Sequence, residues 1–155
     1  MKCLVLSTVL LLLASCSSTK STAYLTYETQ CLGVELDGSQ TLLAWGDGKN
    51  KADAEEQAKK NAVRDVIFRG INAGKSECTR SPLVNTPNAQ QKYEDYFNRF
   101  FADGGEYKKY ISMSDQKRGS GNKEHYKYGE KRSVTVRVLR SELKKRLQED
   151  GILPK

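Results

Sequence analysis

Trp45-Gly46-Asp47-Gly48-Lys49-Asn50 leads into a stretch that carries Ala54, Ala58, Ala62 and Val66 at steps of four. Apolar side chains at that spacing, flanked by Val63, Ile67 and Ile71, form one stripe along a helix. The small residues in its first half let it approach a sheet closely. The two glycines break the strand before it. Asn50 is placed to cap the helix, and Asp53 and Glu55 fall near its positive end. The helix is expected to run to about Ala73, with Gly74 as its stop.

Upstream, Tyr24–Leu36 and Thr41–Trp45 read as two strands joined around Asp37-Gly38-Ser39, a hairpin-like turn. Downstream comes a loop, Lys75–Thr86, and then a second helix, roughly 87–102, with Pro87 in its first turn. On it Ala89, Tyr93, Tyr96, Phe97, Phe100 and Phe101 make an aromatic face, read as core packing rather than a ligand-binding box. Gly104-Gly105 ends it. Tyr107–Gln116 and Tyr126–Leu139 read as strands, the second alternating Val134, Val136 and Val138 with Ser133, Thr135, Arg137 and Leu139. Ser141 is expected to cap a closing helix that carries Leu143 and Leu147 and ends at Gly151. The order is ββααββα: a single compact α+β domain over residues 24–155, an antiparallel or mixed sheet with packed helices.

Residues 1–15 read as targeting rather than structure. Lys2 is positive, and Leu4–Leu13 is apolar but too short for a bilayer core, which needs about 20 residues. The segment ends in Leu13-Ala14-Ser15-Cys16, which resembles the lipobox of bacterial lipoproteins. That resemblance implies cleavage before Cys16, diacylation of its thiol and acylation of the new amine. Several acyl chains, at about 0.8 kcal/mol per buried methylene, hold a protein on a membrane. The alternatives are a plain signal peptide cut near Ser15 and an N-terminal helix. Residues 16–23 would be a flexible, lipidated tether rich in Ser and Thr. No aspartate follows Cys16, and no acidic cluster comes after it. Resemblance to sorted lipoproteins therefore implies the outer membrane, on its periplasmic face.

Of the four cysteines, Cys31 and Cys78 remain once Cys3 and Cys16 are set aside. An oxidising periplasm would let them pair; the alternative is two separate buried thiols. Neither has a base or a helix N-terminus beside it in the sequence to make a reactive thiolate.

The chain has 155 residues, 37% apolar and 29% charged, with formal net charge +7. Its single histidine, His125, leaves little room for a zinc cluster or for histidine proton shuttling. Charge is uneven: residues 16–104 hold 11 basic and 12 acidic side chains, residues 105–155 hold 14 and 7. The excess gathers in Lys108, Lys109, Lys117, Arg118, Lys123, Lys127, Lys131 and Arg132, interleaved with Tyr107, Tyr110, Tyr126 and Tyr128. This set is the candidate surface for an anionic partner, with a plain solvated face as the alternative.

Three motifs fail on inspection. Gly70-Ile71-Asn72-Ala73-Gly74-Lys75-Ser76 has one residue too few between its glycines for a phosphate-binding loop, and it follows a helix rather than a strand. Ser141-Glu142-Leu143-Lys144 matches S-x-x-K, but S-D-N and K-T-G are missing. Asp47-Gly48-Lys49 places lysine where a calcium loop needs oxygen ligands. No catalytic residue, metal site or cofactor is expected.

The Trp45–Val66 junction and the passage from Ser133–Leu139 into Ser141, Leu143, Leu147 and Gly151 are similar to the small α+β domains of bacterial envelope lipoproteins. The flagellar assembly T-protein N-terminal domain is one of these. As a whole the chain resembles Bacteroidota-type outer-membrane lipoproteins. The resemblance covers about 60 residues of the mature chain, and Lys75–Gly105 departs from it. It implies envelope assembly or scaffolding rather than catalysis. The expected function is a lipid-anchored, non-enzymatic binding or scaffolding module of the outer membrane. Its partners would be the membrane, through the acyl chains, and an envelope protein or anionic envelope polymer, but not nucleic acid. A structural subunit of a secretion, adhesion or motility complex is the alternative.

Overall fold

The computed structural model describes residues 27–113, 122–126 and 129–154. The targeting segment 1–15, Cys16, the tether 16–23 and Lys117, Arg118, Lys127 and Tyr128 lie outside these residues. In chain order the elements are Gln30–Val34 (β1), Gln40–Gly48 (β2), Lys51–Phe68 (α1), Ala73–Gly74 (β3), Ala89–Lys92 (α2) and Glu94–Phe100 (α3). A 3-10 helix, Glu106–Tyr110, then precedes Ile111–Ser112 (β4), Lys123–Tyr126 (β5), Gly129–Val138 (β6) and Arg140–Glu149 (α4).

The sheet is built on β2 and β6, antiparallel from Gln40↔Val138 to Gly48↔Glu130. Beyond β2 lies β1, antiparallel to it, and then the two-residue β3, parallel to β1. Beyond β6, β4 and β5 each pair with a different part of its far edge. The result is one α+β domain with a mixed sheet.

The register puts Leu42, Ala44 and Gly46 of β2 on the same face as Val136, Val134 and Arg132 of β6. Across that face lies α1, with Ala54, Ala58, Ala62 and Val66 all at 0% exposure. Each buried valine or leucine here contributes about 1.5–3 kcal/mol. The approach is close enough to require glycine: a Cβ on Gly46 would stand 2.2 Å from the Ala58 backbone nitrogen. Asn50 caps α1, its side chain accepting from the Asp53 N–H at 3.1 Å.

Several boundaries differ from the sequence reading. The helix α1 ends at Phe68, and Gly70 rather than Gly74 turns the chain, at φ +76°. A Cβ on Gly70 would meet the Arg80 carbonyl oxygen, so the fit of the following loop fixes the stop. The helix expected over 87–102 is two short helices broken at Tyr93. Tyr107–Tyr110, expected as strand, is a 3-10 helix whose three-residue spacing turns both tyrosines inward. Ser141 does not cap α4: Leu139 is the N-cap residue and supplies no side-chain bond. Cys31 and Cys78 form a disulfide in the core, the two residues 1% and 3% exposed.

The aromatic face is core. Phe97, Phe100 and Phe101 contact one another edge-on or stacked, and Phe100 stacks on Tyr110 at 5.9 Å. Tyr96 donates its hydroxyl to Asp150 at 2.6 Å, and Arg146 bridges Asp150 and Glu106 at 3.0 and 3.1 Å. Burial, with Asp150 behind it, pushes the Tyr96 hydroxyl above its ordinary range, so it remains a donor. This network ties α3, the 3-10 helix and α4 together.

Candidate functional site

The residues expected to form one basic surface separate into two groups. Tyr107 and Tyr110 belong to the core, at 0% and 9% exposure, and are withdrawn from any partner surface. Buried phenol rings need a partner for the hydroxyl, and Tyr107 donates to Glu56. Beside it Lys108 stands 2.7 Å from Glu56, and Lys109 lies 3.0 Å from Glu106. These lysines answer carboxylates of their own domain.

Partial burial opposes the charge on Glu56, but the Lys108 ammonium and the Tyr107 hydroxyl outweigh it and hold its carboxyl down to about 2. A carboxyl whose folded pKa lies below its unfolded value of 4.5 gives stability that is complete above the unfolded value. That stability is lost as pH falls through the folded one. Folding stability is therefore expected to drop by about 1–3 kcal/mol between pH 5 and 2 on account of this group. Glu56→Gln is expected to be less stable than the wild type at pH 7, and the gap should close toward pH 2. Urea unfolding at a series of pH values measures both; a gap that is constant with pH contradicts this role for Glu56.

The second group lies on the β5–β6 hairpin. Lys131 sits 3.3 Å from Asp47, its ammonium 3.5 Å from the centroid of the Tyr27 ring. Arg132 is 3.0 Å from Glu130. Lys123 is exposed, paired in register with Arg132. Tyr126 is in β5, its side chain outside the described part. Tyr27 in turn packs edge-on against Trp45 at 5.3 Å and donates to Glu124. Tyr27 thus ties the chain ahead of β1 to the hairpin. The local carboxylates Asp47, Glu124 and Glu130 offset much of the hairpin's positive charge.

A different concave region opens on the side of α1. Where β1 stops pairing with β2, at Leu43, the Asn61 amide reaches over and donates to the Trp45 carbonyl at 2.8 Å. Next to it Asp65 is 9% exposed, accepts from the Thr29 hydroxyl at 2.5 Å and lies 3.6 Å from Arg69. Burial pushes the Asp65 carboxyl upward, with Thr29 and the arginines opposing. These groups line a notch of about 310 Å³, which adjoins a cleft of about 690 Å³ between α1 and the α2–α3 segment. Arg64 and Gln90 line both.

The sequence reading passed over Arg64, Asp65 and Gln90. One signal was present: Arg64-Asp65 interrupts the apolar run between Ala62-Val63 and Val66-Ile67. Nothing local joins it to Gln90, which only the fold brings near. The notch and cleft are lined by guanidinium, carboxylate, amide and aromatic groups. Among the described residues no group of three His, Cys, Asp or Glu side chains is placed to hold a metal, and no helix is long and apolar enough to cross a membrane. Compared with family models, curated proteins and solved structures, the chain matches none.

Proposed function

We propose that this chain is a lipid-anchored, non-enzymatic binding module of the bacterial outer membrane, held on its periplasmic face by acyl chains on Cys16. The observation that carries this is the Cys31–Cys78 bond in the core. Structural disulfides persist in oxidising compartments and are rare in a reducing cytosol. The lipobox-like Leu13-Ala14-Ser15-Cys16 supplies the anchor. Tethering confines the domain to a thin layer, which raises its effective concentration for an envelope protein or anionic envelope polymer lying there. Among the described residues of the hairpin, Lys123 is the exposed cation offered to such a partner, since Lys131 and Arg132 face Asp47 and Glu130.

A role as a structural subunit of an envelope complex is favoured by one observation. Leu32, Val34 and Leu36 stand exposed along β1 and just beyond it.

Mass spectrometry of the native protein tests the anchor. The expected chain begins at Cys16 and carries acyl groups, and it sediments with outer membranes. Cys16→Ser is expected to lose the acyl groups and the sedimentation. An intact Met1 start without acyl groups overturns the proposal.

A further inference from the structure

We propose that the groove along α1 is a binding site for an acidic peptide segment, with Arg64 as the residue that takes the ligand's carboxylate. The site meets the hairpin only through Tyr27, which lines the notch, and it does not depend on the anchor.

Position comes first. Arg64 stands where the notch and the larger cleft meet, lining both. Its guanidinium carbon lies 4.9 Å from the centroid of the Phe101 ring. Stacking on an aromatic face holds the planar group in one orientation without consuming its N–H donors. The neighbouring carboxylate, Asp65, is bonded by the Thr29 hydroxyl and ion-paired with Arg69, and Arg64 acts on it only as a more distant charge. Among the described residues no carboxylate lies at ion-pairing distance from Arg64. An oriented guanidinium in a concave surface, with its donors free, matches the two oxygens of a carboxylate.

Shape and lining then favour a peptide. Notch and cleft together, about 310 and 690 Å³, exceed what one small carboxylate fills. Gln90 and Gln91 in α2 carry amides that both donate and accept, as an extended peptide backbone requires. Glu94 lines the larger cleft and repels an acidic side chain there. The ligand's carboxylate is therefore steered to the Arg64 end, while the rest of the segment lies across Gln90 and Gln91.

Trp45, the single tryptophan, lines the notch, so its fluorescence reports occupancy. The full chain is titrated with an end-blocked pentapeptide alternating alanine and glutamate, with its glutamine counterpart, and with trigalacturonate. The glutamate peptide is expected to change Trp45 emission saturably and to bind at least tenfold more tightly than the glutamine peptide. Arg64→Gln, with an unchanged circular dichroism spectrum, is expected to abolish that preference, whereas Glu94→Gln tightens binding about two- to fivefold. The proposal is overturned by no saturable change with the glutamate peptide, by equal affinity for the two peptides, or by trigalacturonate binding in place of the peptide.

Discussion

Gly46→Ala is expected to cost about 3 kcal/mol or more of folding stability, a large effect for one added methyl group. The new Cβ would lie 2.2 Å from the Ala58 nitrogen and 2.3 Å from the Ala54 carbonyl oxygen. Both obstacles are backbone of α1, so no flexible side-chain end can move aside. The helix as a whole would have to lift from the sheet, and packed interiors do not stretch to accommodate that. Lifting uncovers Ala54, Ala58 and Ala62 and loosens Val63, Val66 and Ile67, all at 0% exposure. Gly104→Ala is the comparison: its φ is +77° and nothing lies within 4 Å of the added carbon. There only the backbone conformation opposes the substitution, at about 1–2 kcal/mol. Urea denaturation of both variants tests this, and a Gly46→Ala cost no greater than that of Gly104→Ala contradicts the close approach.

The same contact explains what the sequence could and could not disclose. The alanine stripe, the paired glycines before it and the Asn50 cap are local features, and each leaves its mark within a few residues. Val134, Val136 and Val138 were legible for the same reason, since alternation shows which side faces inward. Gly74 was read as the helix stop, and Gly70 takes that place because of its fit to Arg80, ten residues further along. Tyr107-Lys108-Lys109-Tyr110 fits two patterns at once. As a strand it presents its lysines and tyrosines to a partner; as a 3-10 helix it puts both tyrosines in the core. The Phe97–Phe101 cluster decides between them, and no window of the sequence contains that competition. The groove was less legible still. Arg64 is one of several charges on an amphipathic helix, and its ring partner Phe101 lies on another segment.

Replacing both Cys31 and Cys78 with alanine is expected to remove about 4 kcal/mol of stability and lower the melting temperature by roughly 10–20 °C. The bond closes a loop with a sequence separation of 47 and so withdraws much freedom from the unfolded chain. In the folded state it fastens the segment before α2 to β1, beside the Lys75 N–H that donates to the Cys31 carbonyl at 2.9 Å. Further along, the Leu83 and Val84 N–H groups donate to the Val66 and Ile67 carbonyls at the end of α1. Those contacts keep the native arrangement reachable without the bond, so the variant is expected to fold, less stably, rather than collapse. The two sulfurs are buried, so a mild reductant should act slowly on the native protein and quickly in urea, as the chain opens. Thermal unfolding of the oxidised protein, the reduced protein and the double variant measures the contribution directly. A loss under 1 kcal/mol would mean the core stands without the crosslink. A loss near 4 kcal/mol would mean a reducing compartment deprives this domain of a large share of its stability, since domains of this size are held by about 5–15 kcal/mol in all. The size of that number therefore bears on where the protein can work, by a route independent of any acyl chain on Cys16.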